Sequence, residues 1–257
     1  FDSPKLLMLS GIGDKKHLST LDIPVVVDLP GVGQNLQDHI LVPLSYEATQ
    51  DLETKTTSNG IAEAGLFMHS KHNLETAPDL ELVFGPILLS PPGDPNSGFG
   101  FTGLVVLNHP QSIGSVSLRT SDPQDTPMIR LNYLQNRSDM QKLIEGIKLI
   151  RKLFNSSAFD EFRGREVLPG DEIASDEAIE AYIRQTCGTV YHPVGTCKMG
   201  VDLMAVVDPE LRVYGVEGLR VVDASIMPTR ITGHTNAPVI AIAEKAAALI
   251  KTTGSIS

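Results

Sequence analysis

The stretch that most constrains this chain is its C-terminal run, GLRVVDASIMPTRITGHTNAPVIAIAEKAAALIK, from Gly218 to Lys251. Leu219 to Val222 is a short apolar segment that reads as a buried strand, with Asp223 at its C-terminal end. Pro228 and Gly233 mark a loop, and a long helical pattern opens near Asn236 with Pro238 in its first turn. Strand, loop and helix in that order belong to a parallel α/β sheet, where ligands bind outside the carboxyl ends of the strands. Asp223, Ala224, the loop to His234 and the helix N-terminus beyond it are therefore candidate ligand contacts. Glu244 and Lys245 break the apolar run, so it reads as a buried helix rather than a membrane span.

A second stretch, TVYHPVGTCKMG (189–200), packs a histidine, a proline, two glycines and a cysteine into twelve positions. Such a sequence makes stiff turns, and it holds His192 in one. Cys187 and Cys197 flank it, but Cys-x4-His-x4-Cys matches no common zinc pattern, so two free thiols and no metal site are expected. His17, His69, His72 and His109 read as structural or solvated, and His39 as a residue that orients a loop.

Composition narrows the function classes. The 257 residues suffice for one large domain or two small ones, and 41% hydrophobic with 20% charged residues is a globular composition. A formal net charge of −10 with scattered Lys and Arg argues against a nucleic-acid partner, because phosphate binding needs a basic face. Two N-x-S sequons, at Asn136 and Asn155, leave the compartment open.

Elsewhere the pattern alternates between strands and helices. Ser3 is a candidate N-cap with Pro4 at the first helical position, and Gly11 ends that short helix. Val25 to Val27 read as a strand, followed by a turn at Pro30, Gly31 and Gly33 and a compact loop carrying Asn35 and Asp38. Residues 80–89, 103–109 and 114–120 read as strands of a mixed or antiparallel sheet. Gly98, Gly100 and Gly103 spell G-x-G-x-x-G, but a proline-rich loop precedes them and a strand follows, which is the wrong context for a dinucleotide fingerprint. Two helices are expected over this sheet. One opens with a Ser138/Gln141 capping box and carries Met140, Leu143, Ile144, Ile147, Ile150 and Leu153 at helical spacing. The other opens at Ser175, with Ala178, Ile179, Tyr182 and Ile183 on its apolar face.

Four blocks then carry a family likeness: SPKLLMLSGIG (3–13), VGQNLQDH (32–39), YHPVGTCKMG (191–200) and VVDASIMPTRITGHTNAPVIAIAEKAAALI (221–250). With them the chain resembles the C-terminal portion of the glucose–methanol–choline (GMC) family of flavin oxidoreductases. The resemblance implies an α/β fold: part of a doubly wound FAD-binding domain (1–44 and 186–257) and a mixed-sheet substrate-binding domain with covering helices (45–185). It implies FAD as cofactor, an alcohol as small-molecule substrate, proton abstraction by a histidine and hydride transfer to flavin N5. His192 matches the catalytic histidine and His234 the second catalytic position, which is His or Asn among members. Asp223 and Ala224 match FAD contacts. Thr235, Asn236 and Pro238 match the segment against the flavin pyrimidine edge, and Tyr191 joins the cofactor-binding set. A cyanohydrin lyase on the same flavoprotein scaffold and a non-catalytic fragment are the alternatives. The family's N-terminal G-x-G-x-x-G is absent from this sequence, so the chain is expected to be a piece whose partner is a complementary N-terminal chain carrying that motif.

Overall fold

The computed structural model describes residues 1–52, 62–71, 77–90 and 98–254. The proline-rich stretch 91–97 and His72 lie outside them. In chain order the elements are α1 (Asp2–Leu9), β1 (Ile12–Gly13), α2 (Lys15–Thr20), β2 (Val27–Asp28) and β3 (Ile40–Ala48). Then come β4 (Ala64–Met68), β5 (Leu80–Gly85), β6 (Gly100–Leu107), β7 (Ser115–Ser117) and β8 (Met128–Arg130). The chain closes with α3 (Arg137–Phe154), β9 (Arg163–Leu168), α4 (Asp176–Thr186), β10 (Gly188–Thr189) and α5 (Asn236–Gly254). No described helix is long and apolar enough to cross a membrane.

Two compact units share these elements. The first comprises Phe1–Asp38, Ser112–Tyr133 and Tyr191–Ser257; the second comprises His39–Gln111 and Leu134–Val190. These limits differ from boundaries at 44/45 and 185/186. In particular, segment 112–133, assigned by sequence to the middle domain, packs with the first unit. The reason is pairing with the N-terminal stretch: Gly114 bridges Leu36, Val116 N–H donates to Gly33 O at 2.6 Å, and Leu118 N–H donates to His17 Nε2 at 3.2 Å.

The second unit is a six-stranded antiparallel sheet of order β10-β3-β6-β5-β4, with β9 also paired to β3. The register Ile40↔Leu107 to Glu47↔Gly100 runs the length of β3 and β6. Gly100 and Gly103 thus sit inside a strand. Gly103 has a packing reason, since a Cβ there would overlap Ile150 Cδ1; across the contact, a Cβ on Gly146 of α3 would overlap Val105. Two glycines let α3 lie close on the sheet, and Met140, Leu143, Ile147 and Ile150 are buried beneath it. Phe154 completes that face, while Leu153 points outward at 44% exposure. The cap of α3 is Asn136, whose side chain accepts from Ser138 N–H at 2.9 Å, so Ser138 lies within the helix and forms no capping box. Ser175 does cap α4, accepting from Ala178 N–H.

In the first unit a core of Leu7, Met8, Leu18, Leu36, Val116, Val206, Val213 and Ile226 gathers short, irregular segments. Helix α1 starts at Asp2 with no side-chain cap, so Ser3 is not its N-cap. The strand expected at 25–27 shrinks to β2, parallel to β1. Residues 219–222 form no strand. Arg220 makes an isolated antiparallel bridge to Arg212, and Val221 N–H bonds Leu211 O, so the run closes on a local turn instead of joining a sheet. Helix α5 keeps its expected start; within this chain Ala246 is its buried contact at 1% exposure, while Ile240 and Ile250 face outward.

Candidate active site

The segment around His192 is shaped by two residues with positive φ, Tyr191 (62°) and Gly195 (93°). A side chain at Gly195 would collide with Asn35 O, so the close approach of the two loops depends on glycine. Between them Val194 pairs with Gln37 through N–H···O bonds of 2.8 and 3.0 Å. One residue on, the Asp38 carboxylate accepts the His192 N–H at 3.1 Å and the Tyr133 hydroxyl at 2.5 Å.

The loop carrying His234 is tied to the same stretch. Gln37 Oε1 accepts from Arg230 Nη1 at 2.6 Å, and Gln37 Nε2 donates to Pro228 O at 3.2 Å. Asn35 Nδ2 donates to Pro228 O at 3.0 Å and to Gly195 O at 3.3 Å. Residues 35–38 therefore brace both histidine loops. The outcome is a ring pair: the His192 and His234 imidazoles lie edge to face, centroids 4.9 Å apart at 88°. His192 is half-buried and His234 exposed. Burial lowers the basicity of His192 and the neighbouring His234 lowers it further, against the opposing charge of Asp38; the net effect keeps its pKa below the ordinary histidine value.

A cavity of about 390 Å³ lies in the same unit, lined among others by Ser3, Tyr191, Thr196, Asp223, Ala224 and Thr235. Asp223 precedes a 3-10 turn at Ala224–Ile226 and caps it, accepting Ser225 N–H at 2.7 Å. Its other oxygen takes the Ser3 hydroxyl, which explains why Ser3 does not cap α1. Thr235 O accepts Val239 N–H at 3.0 Å, the opening bond of α5. The first N–H groups of that helix have no partner within it and carry the positive end of its dipole.

Of the residues singled out from the sequence, His192 and His234 meet in ring contact, and Tyr191, Asp223, Ala224 and Thr235 share the cavity. Asn236 and Pro238 open α5 immediately after Thr235 and do not line it. His39 is buried, and its carbonyl accepts Val190 N–H. Cys197 is fully buried with its thiol pushed up to about 12 by burial; Cys187 is half-buried and raised for the same reason. Among the described residues no cluster of three or more His, Cys, Asp or Glu is arranged to hold a metal. A larger cavity of about 590 Å³, lined by His17, Gln34 and Arg130 among others, contains none of the singled-out site residues. Sequence reasoning missed Asp38, Gln37, Tyr133 and Arg230 as site residues. For Gln37 and Asp38 the signal available was the polar Asn35, Gln37 and Asp38 that follow a glycine-rich turn.

Comparison with known proteins identifies the family. Family models described as GMC oxidoreductase match residues 1–41 and 110–243. The chain is 42% identical over 271 aligned positions to an oxygen-dependent choline dehydrogenase of Sinorhizobium fredii (strain NBRC 101917 / NGR234), covering 96% of this chain and 49% of the relative. Among solved structures it is similar to pyridoxine 4-oxidase from Mesorbium loti (TM-score 0.86, 33% identity, 96% of this chain and 49% of that one). It is also similar to a formate oxidase variant of Aspergillus oryzae RIB40 from work on FAD modification (TM-score 0.88, 29% identity, 98% and 53%). The chain spans about half the length of these relatives. Because one family model matches more than half of its residues, the chain belongs to the GMC oxidoreductase family.

Proposed function

We propose that this chain carries the proton-accepting site of an FAD-dependent oxidoreductase that oxidises the CH–OH group of an alcohol. The observation that carries the reading is the His192–His234 pair. Because the His192 pKa lies below its ordinary value, the ring is neutral at neutral pH and can accept the substrate hydroxyl proton on a ring nitrogen. His234, 4.9 Å away centroid to centroid, offers a second hydrogen-bonding group to the same oxygen. The doubly anchored turn fixes the backbone that carries His192, and a base held in place retains its rate advantage.

The residues present fit part of the cofactor. The cavity beside Tyr191 presents a carboxylate (Asp223), hydroxyls (Ser3, Thr196, Thr235) and, next to it, the start of α5, a donor and acceptor set suited to a nucleotide cofactor. Asp223, Ala224, Thr235, Asn236, Pro238 and Tyr191 are assigned to hold it. Bound FAD supplies the acceptor for the hydride that leaves the carbinol carbon. By family likeness the second unit is assigned the substrate-binding role, and a segment carrying the dinucleotide fingerprint is assigned the rest of the cofactor.

The test is anaerobic flavin reduction in the FAD-loaded protein that contains this chain, with choline as the first alcohol because a 42%-identical relative is named for it. An alcohol should reduce the flavin, and His192→Ala should slow that step by about 10²–10⁴-fold while the protein stays yellow. An unchanged reduction rate excludes His192 as the base. Cyanohydrin cleavage with a flavin that no alcohol reduces would support the lyase instead.

A further inference from the structure

We propose that Asp38 is a positioning residue for His192: its carboxylate fixes the chain at that residue and supplies the negative charge against which the imidazole takes up its proton. The inference rests on the reading of His192 as the base.

Asp38 is 4% exposed, and a buried carboxylate is costly without partners. Two of its partners are donors from different parts of the first unit. The His192 N–H points at Oδ1 (3.1 Å) and the Tyr133 hydroxyl at Oδ2 (2.5 Å). The first bond lands on the histidine itself, one residue after Tyr191, whose φ of 62° is unusual for a tyrosine and needs its neighbours to hold it. The residue before Asp38, Gln37, pairs with Val194 through two backbone bonds. Consecutive residues of one segment thus grip both ends of the His192–Val194 turn, while the Gln37 side chain reaches Pro228 and Arg230 on the loop that leads to His234.

The charge has its own role. Two things oppose a proton on His192, namely its partial burial and the second imidazole at 4.9 Å. Asp38 acts in the opposite direction. When the alcohol proton moves to His192, the new imidazolium gains a fixed anion nearby, and no solvent rearrangement is needed to stabilise it. A carboxylate anchored at both oxygens suits this task better than a mobile one, because its charge cannot swing away into water.

Three variants of the FAD-loaded protein that contains this chain test the idea. Asp38→Asn keeps an acceptor for the His192 N–H and a partner for Tyr133 but removes the charge. Asp38→Ala removes both, and Tyr133→Phe frees one carboxylate oxygen while keeping the charge. Two readouts are taken: the pH titration of the His192 ring by NMR, and the pH profile of anaerobic flavin reduction. In Asp38→Asn, His192 should titrate at lower pH than in the parent. The reduction profile should move to lower pH with it, and the plateau rate should fall about 10-fold because the base is weaker. Asp38→Ala should lose about 10²-fold through misplacement of the ring. Tyr133→Phe, which loosens one carboxylate oxygen but keeps the charge, should slow the plateau less than Asp38→Asn does and should shift the His192 titration less. If Asp38→Ala does not fold, Asp38→Asn still decides. His192 titrating at the same pH in Asp38→Asn and in the parent overturns the proposal, even where the rate falls or the melting temperature drops. If His192→Ala leaves flavin reduction unchanged while Asp38→Asn still moves the His192 titration, the base assignment fails and the electrostatic hold of Asp38 stands.

Discussion

At the scale of single residues, the proposed site is shaped by backbone geometry as much as by its two imidazoles. Gly195 illustrates it: its φ of 93° and the close approach of Asn35 O leave no room for a side chain. Gly195→Ala should therefore destabilise the folded chain by about 1–3 kcal/mol, as strained backbone positions do. It should also displace the adjoining turn and slow substrate-driven flavin reduction more than the stability loss explains. Comparing the melting temperature with the reduction rate per folded molecule checks this; full activity in the folded fraction would show that the turn tolerates the change. Ser3 carries a related lesson. Its hydroxyl is drawn to a carboxylate 220 positions away rather than to its own helix.

At the scale of elements, helix starts follow local chemistry, but which local residue wins is a matter of geometry. In α3 both Asn136 and Ser138 are capping types. The chain at Asn136 is extended (φ −84°, ψ 125°) and its side chain reaches Ser138 N–H, so Asn136 takes the role and Ser138 is absorbed into the first turn. Asn136→Ala should cost about 1 kcal/mol of stability and Ser138→Ala a few tenths at most, measured by urea unfolding. The reverse order would restore Ser138 as the cap. The close contact of α3 with β6 through Gly103 and Gly146 shows a second element-scale rule. A glycine pattern that spells a nucleotide motif can instead serve helix-on-sheet packing, and the strand context decides between the two.

At the scale of the whole molecule, each unit has its own core and its own buried charges. In the second unit Lys142 Nζ lies 3.0 Å from Asp79 Oδ2, with side-chain exposures of 3% and 0%. Burial alone pushes the Asp79 carboxyl up. The N–H and hydroxyl of Ser70 together with Lys142 outweigh that and hold it below its ordinary value. A carboxylate lowered on folding adds stability above its unfolded pKa, about 3.9, and that stability is lost as pH falls through the lower folded value. Acid unfolding followed by circular dichroism should therefore show a component below about pH 4 that Asp79→Asn removes. At neutral pH Asp79→Asn should cost about 3–5 kcal/mol, because it leaves a buried cation unpaired. The double variant Asp79→Leu with Lys142→Met removes both charges and should recover most of that loss. Equal losses in the single and double variants would refute a pairing role.

What the sequence by itself determined is what short-range patterns encode: the Ser175 cap and buried Ile179, Tyr182 and Ile183 face of α4, the start of α5 at Asn236, and the strand character of β5 and β6. These rest on relations between residues a few positions apart, which any window of the chain displays. The two site histidines were reached through motif likeness, not through periodicity. The tertiary structure alone decided that they meet at 4.9 Å, that residues 112–133 belong with the first unit, and that Asp38 holds His192 across 154 positions. It likewise decided that 219–222 closes on a turn instead of a strand. Burial, long-range pairing and the partner of a carboxylate are properties of what the fold brings alongside a residue, and local sequence does not contain that information.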